Sequence, residues 1–254
     1  MEFTIGADEV EAFARSLGAD PKDGVPPTYA AVYALGTTAP QLFLDEEAAV
    51  DFSHLLHAEQ GFEWERQPAV GETVTAQGRV ASDVDRRGLR LVGLESRCTV
   101  AGAPLCRSKA LFVISGGTGR ASERSSSGRS RPADAGPASG ATSGRELRVT
   151  FTQEQIAAYA AASGDRNPIH LDDDVARSAG LPGVIAHGML QMGLLARVVG
   201  PAARVRKLSC RFAGMVRPGD TVTFGAVERE GNLELSALNQ EGEPVLSRIS
   251  AELA

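Results

Sequence analysis

Residues 187–200 read HGMLQMGLLARVVG, and Met189, Leu190, Met192, Leu194, Leu195, Val198 and Val199 occupy nearly every side of the helix this stretch would form. A helix that is apolar all round has no solvent face and must be enclosed. The chain after it reads as strands, around Leu208–Phe212, Thr221–Val227, Leu233–Leu238 and Val245–Ala251, with turn residues at Pro218-Gly219, Gly231-Asn232 and Glu241-Gly242. The pattern predicts an α+β unit in which an antiparallel sheet wraps a buried helix. No apolar run approaches the ~20 residues of a membrane span, so the enclosing surface is expected to be protein.

The first part of the chain carries the same order in weaker form. Phe13-Ala14 with Gly18 matches Tyr159-Ala160 with Gly164, VGETVT at Val70–Thr75 matches PGDTVT at Pro218–Thr223, and GAPL at Gly102–Leu105 matches GEPV at Gly242–Val245. Each match is short, but three in order at similar offsets point to duplication of one supersecondary unit. Strands are expected around Glu63, Thr73–Val80, Leu89–Val100 and Leu105–Ile114, with a shorter central helix near Thr28–Leu35. Between the halves, residues 116–144 contain almost no large apolar side chain. Such a segment cannot offset its ordering entropy and is expected to be a flexible linker, with a reach on the order of 30 Å. We therefore expect units at 1–115 and 145–254 joined by a tether at 116–144.

Composition narrows the function classes. The formal charge of −6 argues against nucleic acid as the main partner. The acidic, amphipathic start MEFTIGADEVEAF is unlike a signal peptide. Cys98, Cys106 and Cys210 have no metal-ligand spacing and read as reduced packing residues of a cytoplasmic protein. The four histidines show no ligand spacing either, so no metal is expected.

The chemistry concentrates in YAAASGDRNPIHLDDDVARSAGLPGVIAHGMLQM, residues 159–192. Thr152–Gln155 fits a capping box that opens a helix, and Ser163-Gly164 should close it with a left-handed glycine. Asn167 precedes Pro168 and is pushed out of helical geometry, so Asp165 through His170 should form a rigid turn. Asp172–Asp174 can cap a short helix that ends at Gly180. Across that turn Asp165 and His170 stand five residues apart, a carboxylate and an imidazole suited to proton transfer at neutral pH. Gly188 opens the buried helix, where unpaired N–H groups carry partial positive charge and a carbonyl oxygen can approach closely. Water activation beside enolate stabilisation implies adding water to an α,β-unsaturated thioester, or the reverse.

Plainer roles exist for each residue. Asp165 could cap the turn, Asn167 pin its backbone, Ser163 end the helix, His187 cap or orient the helix entry, and Gly188 permit close packing. Tyr159 reads as core, and His54 and His57 lack an Asp-turn motif and are not expected in the site. Arg145, Arg204, Arg206, Lys207 and Arg211 could meet phosphates, but a solvated strand face explains them equally well.

Tyr159, Ser163-Gly164-Asp165, Asn167-Pro168-Ile169-His170, Asp172, Ala176, Gly180 and His187-Gly188-Met189 together resemble the MaoC-like, R-specific (type 2) enoyl-CoA hydratases and 3-hydroxyacyl-thioester dehydratases. HAEQGFEWERQPAVGETVTAQGRV, residues 57–80, resembles the degenerate domain that precedes the catalytic one in their fused double hot dog forms. The resemblance implies two hot dog units forming a pseudo-dimer with one continuous sheet. Asp165 and His170 would be the catalytic pair and the Gly188 N–H the carbonyl-polarising donor. Ser163, Asn167 and His187 would bind or arrange around the substrate. Ala19 falls where Asp165 lies in the repeat, so one active site per chain is expected. The substrate would be an acyl-CoA or acyl-carrier-protein thioester, with no cofactor, in a monomeric pseudo-dimer or a homodimer. A thioester-binding partner without turnover, or a thioesterase, are the competing functions for the same fold.

Overall fold

The structure, a computed structural model, describes residues 1–36, 38–39, 54–86, 88–115, 144–229 and 232–254. The tether expected at 116–144 lies outside the described residues except for Gly144, which opens a strand. The turn expected at Gly231-Asn232 lies partly outside them as well.

Among the described residues, ten strands and four α-helices make two copies of one unit. The first contains β1 (Glu2–Thr4), α1 (Ala7–Ser16), β2 (Leu55–Trp64), β3 (Thr73–Arg86), β4 (Leu89–Val100) and β5 (Ala103–Ser115). The second contains β6 (Gly144–Thr150), α2 (Gln153–Ser163), α3 (Asp173–Ser178), α4 (Gly188–Val199), β7 (Val205–Phe212), β8 (Thr221–Arg229), β9 (Asn232–Asn239) and β10 (Leu246–Leu253).

The duplication is visible in backbone detail. Gly71 and Gly219 turn with φ of 89° and 95°. In one half Gly71 N–H donates to Ile5 O and Ile5 N–H to Glu72 O. In the other, Gly219 N–H donates to Phe151 O and Phe151 N–H to Asp220 O. Phe13 and Tyr159, equivalent in the repeat, meet across the junction with ring centroids 5.5 Å apart.

Seven strands form one antiparallel sheet in the order β1-β3-β4-β5-β2-β7-β10. Its seam is the pairing of β2 with β7, in register from Glu59↔Arg211 to Glu63↔Lys207. The double hot dog expected from the sequence is therefore present, with one correction. The sheet is not continuous, because β6-β8-β9 form a separate three-stranded sheet. In the first unit β4 and β5 pair along their whole length. Their counterparts β9 and β10 keep only the bridge Leu238↔Pro244 and neighbouring turn bonds among the described residues. Pro244 supplies no N–H. Beyond it β10 carries a register shift between Ser247 and Ser250, with Arg248 at φ 50°. Such a bulge twists a strand away from its neighbour.

The second unit wraps α4. Ten of its twelve residues are buried, which is the enclosure its all-round apolar face requires. At its C-terminus Arg145 donates from Nε to Val198 O (2.7 Å) and from Nη2 to Val199 O (2.5 Å). These bonds satisfy carbonyls that have no partner within the helix and set a cation at its negative end. Midway, a Cβ on Gly193 would lie 2.6 Å from Leu17 Cδ2, so the absent side chain lets the first unit pack closely. The central helix expected near Thr28–Leu35 is corrected to a 3-10 turn at Pro27–Tyr29 followed by a π-helical turn at Ala31–Leu35. Two consecutive prolines fix its entry, and the Gly36 N–H reaches back to Ala31 O at 2.8 Å, a five-residue closure.

Candidate active site

The loop after α2 is built by side chains that bond the backbone two residues on. Thr152 Oγ1 accepts from Gln155 N–H (3.1 Å) at the start of the helix, and Gly164 ends it at φ 77°. Ser163 Oγ then accepts from Asp165 N–H (3.2 Å), Asp165 Oδ1 from Asn167 N–H (3.2 Å), and Asn167 Oδ1 from Ile169 N–H (3.3 Å). Pro168–His170 make a single 3-10 turn, and Asp172 Oδ1 accepts from Asp174 and Val175 N–H to open α3. Ser163 and Asn167 thus act on the loop backbone, which fixes where Asp165 and His170 stand.

Three expected residues come together. One ligand-type atom each of Asp165, His170 and His187 lies within 4.8 Å of the others. The rings of His170 and His187 stack with centroids 3.7 Å apart and planes 30° apart. His170 Nδ1–H donates to Ile185 O (2.8 Å), which leaves Nε2 as a bare acceptor on the neutral ring. His187 Nε2–H donates to the backbone carbonyl of Asp165 (3.0 Å). His187 stands at the N-cap position of α4 but makes no side-chain capping bond. The capping role weighed for it is therefore corrected: its ring ties the Asp165 loop to the helix entry.

Electrostatics favour an ionised carboxylate beside neutral imidazoles. Burial depresses the His170 ring against the pull of Asp165 and the Ile185 carbonyl. Burial, then the neighbouring His170, lowers His187 to about 4. Burial alone would raise the Asp165 carboxyl, but His187, His170 and the Asn167 N–H outweigh it and hold the group below its usual range. Asp165 as a residue is exposed at the loop surface, while both histidines are buried. Its carboxylate therefore sits between water and a dry wall.

Gly188 is the first residue of α4, so its N–H has no carbonyl one turn back to bond. A Cβ there would lie 2.7–2.9 Å from three ring atoms of Phe212. The close-packing role is therefore real, and the Gly188 N–H has no hydrogen-bond partner among the described residues.

Two residues set aside from the sequence belong to this neighbourhood. Tyr159 is core, but its ring lies 5.1 Å from His187 and its buried hydroxyl has no hydrogen-bond partner among the described residues. His57, on β2, is in electrostatic reach of Asp165. A partner brought in by strand pairing leaves no local motif, so the only signal was a histidine interrupting an apolar strand.

The donor set of Asp165, His170 and His187 matches a first-row metal by atom type. One nitrogen of each ring, however, is taken by a backbone carbonyl, Ile185 O for His170 and Asp165 O for His187, and the rings stack with centroids 3.7 Å apart. The arrangement instead suits a water molecule shared between His170 Nε2 and the Asp165 carboxylate. The cysteines carry no such chemistry: all three are free and buried, and burial pushes Cys98 and Cys210 to about 12. The basic residues considered for phosphates are engaged within the protein. Arg204 bonds Ala254 O, Arg206 bonds Ala203 O, Lys207 pairs with Glu252 and Arg211 with Glu59.

A groove of about 480 Å³ lies where the repeat would place a second site and is lined by Ala19, Gly24 and Pro27 among others. At the offset that relates Phe13 to Tyr159, Ala19, Pro21 and Gly24 replace Asp165, Asn167 and His170. Another concavity of about 360 Å³ runs along the β5-β2-β7 seam between Glu59 and Lys207, without residues of the Asp165 loop.

Comparison with known proteins finds matches in both parts of the chain. Residues 134–241 match the model of the MaoC-like domain, and residues 1–108 match that of the FAS1-like dehydratase domain region. The chain is 27% identical over 242 residues to the peroxisomal hydratase-dehydrogenase-epimerase of Neurospora crassa, covering 91% of this chain and 26% of that protein. It thus spans about a quarter of that relative's length. It is 29% identical over 207 residues to the peroxisomal enoyl-CoA hydratase 2 of Arabidopsis thaliana, covering 77% of this chain and 67% of that one. The crystal structure of HtdX from Mycobacterium tuberculosis superposes with a TM-score of 0.77 at 25% identity, covering 98% of this chain and 96% of that one. No helix among the described residues is long and apolar enough to cross a membrane.

Proposed function

The chain belongs to the MaoC-like dehydratase family, and from that premise we propose that it is an R-specific 2-enoyl-thioester hydratase, or in reverse a (3R)-hydroxyacyl-thioester dehydratase. The observation that carries the reading is the bare Nε2 of His170 beside an ionised Asp165, next to the free N–H groups that open α4.

In the hydration direction water sits between His170 Nε2 and the Asp165 carboxylate. One proton leaves the water to this pair as its oxygen bonds C3. The C2=C3 electron pair moves toward the thioester carbonyl, whose developing negative charge faces the Gly188 N–H. A proton then returns from the pair to C2, so the site ends as it began. Asp165 and His170 titrate as one unit, and the transferred proton belongs to the pair. Ser163 and Asn167 hold the loop, and His187 locks it to the helix. The chemistry as written calls for no redox or metal cofactor.

The substrate is a 2-enoyl thioester of coenzyme A or of an acyl-carrier protein, in line with the names of the relatives. Residues 1–115 are the partner unit and residues 145–254 the catalytic one. A single chain already holds both hot dogs, which supports a monomeric pseudo-dimer, with a homodimer of such chains as the alternative. Three free buried thiols support a reducing compartment, the cytoplasm or, as the relatives' names suggest, a peroxisome.

The test follows loss of enoyl-thioester absorbance with trans-2-enoyl-CoAs of short and long chain, together with a thiol-reactive dye. Wild type should consume the enoyl group without releasing thiol. Asp165→Asn should lower turnover at least ~10²-fold, as expected for lost acid/base catalysis. Near-normal turnover in Asp165→Asn would refute the site. Thiol release would indicate a thioesterase, and no reaction on CoA or carrier-protein substrates would leave only a binding role.

A further inference from the structure

The ring of His57 is held at the seam between the two units. On β2 it pairs directly with Phe112 of β5 and stacks on that ring, with centroids 4.5 Å apart and planes 21° apart. On its other side Phe212 of β7 meets it edge-on at 5.0 Å. This Phe212 ring is the one packed against Gly188. Immediately after His57 the β2–β5 register shifts by one residue, a bulge that breaks the alternation of the strand. Bulges gather beside active sites because they re-aim a side chain. The His57 Nε2 atom is buried and makes no hydrogen bond of good geometry among the described residues, with the Glu59 backbone and the Gln60 side chain beside the ring. A buried nitrogen left without a partner is costly and calls for an explanation.

We propose that His57 is a positioning residue of the Asp165–His170 site, so that the site is shared between the two units. His57 acts through two neighbours. Its ring fixes Phe212, the wall against which the helix start at Gly188 rests. Its Nε2 accepts a hydrogen from a structural water that also donates to the Asp165 carboxylate, which keeps that carboxylate turned toward His170. The groups facing Asp165 are then His187, His170 and His57, with the Tyr159 hydroxyl in the same electrostatic neighbourhood. The groups facing His57 are Asp165, the Glu59 backbone and the Gln60 side chain. Burial, partly offset by Asp165, holds the His57 ring down at about 4, so it is a neutral acceptor at working pH. This role rests on the hydratase reading of the site.

The experiment uses the full chain with His57→Phe, which keeps the stack and removes the nitrogen, and His57→Gln, which keeps an acceptor. Steady-state kinetics on an enoyl-CoA and a carbon-13 NMR titration of the Asp165 carboxyl are read together. In His57→Phe, kcat should fall roughly 5–10-fold, the rate equivalent of one hydrogen bond, with KM nearly unchanged. The Asp165 midpoint should move to higher pH. His57→Gln should recover most of both. Wild-type kcat and an unmoved Asp165 midpoint in His57→Phe would overturn the proposal. So would equal losses in both variants that track a lowered melting temperature, since His57 would then be packing alone. Should His57→Phe fail to fold, His57→Leu, which also removes the nitrogen, decides by the same midpoint: a shift to higher pH supports the proposal and an unmoved midpoint overturns it. A wild-type protein without hydratase turnover, but with an Asp165 midpoint that depends on His57, would sink the reaction assignment and keep the coupling.

Discussion

Gly188→Ala is the substitution that best separates the two jobs of the helix start. The added Cβ would lie 2.7, 2.8 and 2.9 Å from Cδ1, Cγ and Cε1 of Phe212. Carbon atoms rest comfortably at about 3.5–4.0 Å, so the ring or the helix start must yield by about 1 Å. Overpacking of this kind costs about 1–3 kcal/mol. At about 2–4 °C per kcal/mol for a chain of this size, the melting temperature should fall by roughly 2–12 °C. A 1 Å misplacement at a reacting centre costs on the order of 10²-fold in rate, so kcat should fall by about that factor. Because the clash is with one ring, Phe212→Leu in the Gly188→Ala background should return part of both losses. Scanning fluorimetry and enoyl-CoA hydration on the four proteins of the cycle give the coupling energy. Distant sites add to within about 0.5 kcal/mol. Additivity to that level, or wild-type kcat in Gly188→Ala alone, would refute the argument that this glycine is held at a close approach beside the reacting carbonyl.

Three further predictions use charge. His187 titrates near 4 in the folded chain and near 6.5 when unfolded, so between those values the unfolded chain binds more protons. Its contribution, on the order of 3 kcal/mol at most, is complete above pH 6.5 and is lost as pH falls toward 4. Urea unfolding at about pH 7, 5.5 and 4.5 should show that decline, and constant stability across the window would contradict it. With His170 also depressed, the acid limb of kcat/KM should lie below pH 6.5, and a limb above that value would show that the imidazole is not neutralised by burial. Arg145→Ala removes two charge-assisted bonds to the C-terminal carbonyls of α4. It should cost about 1.5–3 kcal/mol while leaving kcat unchanged, because Gly188 lies at the opposite end of the helix. A kcat loss without a stability loss would be the contrary result.

Legibility followed the range of the interaction. The start of α2 at Thr152, its left-handed end at Gly164, the Asp172 cap and the enclosed α4 each depend on residues within one or two turns, and each was readable. Asp165 and His170 were readable for the same reason, since a proline-stiffened turn places them. β1 and β6 were not recognised because they are short edge strands with largely exposed alternating residues. The π-helical turn at Ala31–Leu35 has ordinary helical composition and owes its form to packing. The parting of β9 from β10 depends on Pro244 and the Arg248 bulge, which matter only once the strands are neighbours. His57 comes into electrostatic reach of Asp165 in a fold where β2 pairs with β7, strands far apart in the chain, a distance at which no motif operates.

The repeat also bears on the expectation of one site per chain. Replacing Ala19, Pro21 and Gly24 by Asp, Asn and His would restore the side chains of the loop. At the same offset the counterpart of Gly188 is Leu42, which lies outside the described residues. Among the described residues the central segment of the first unit holds a 3-10 turn at Pro27–Tyr29 and a π-helical turn at Ala31–Leu35. The second unit opens α4 with a glycine N–H and continues for twelve residues. The first unit contributes sheet and seam through the pairing of β2 with β7, and β2 is the strand that carries His57.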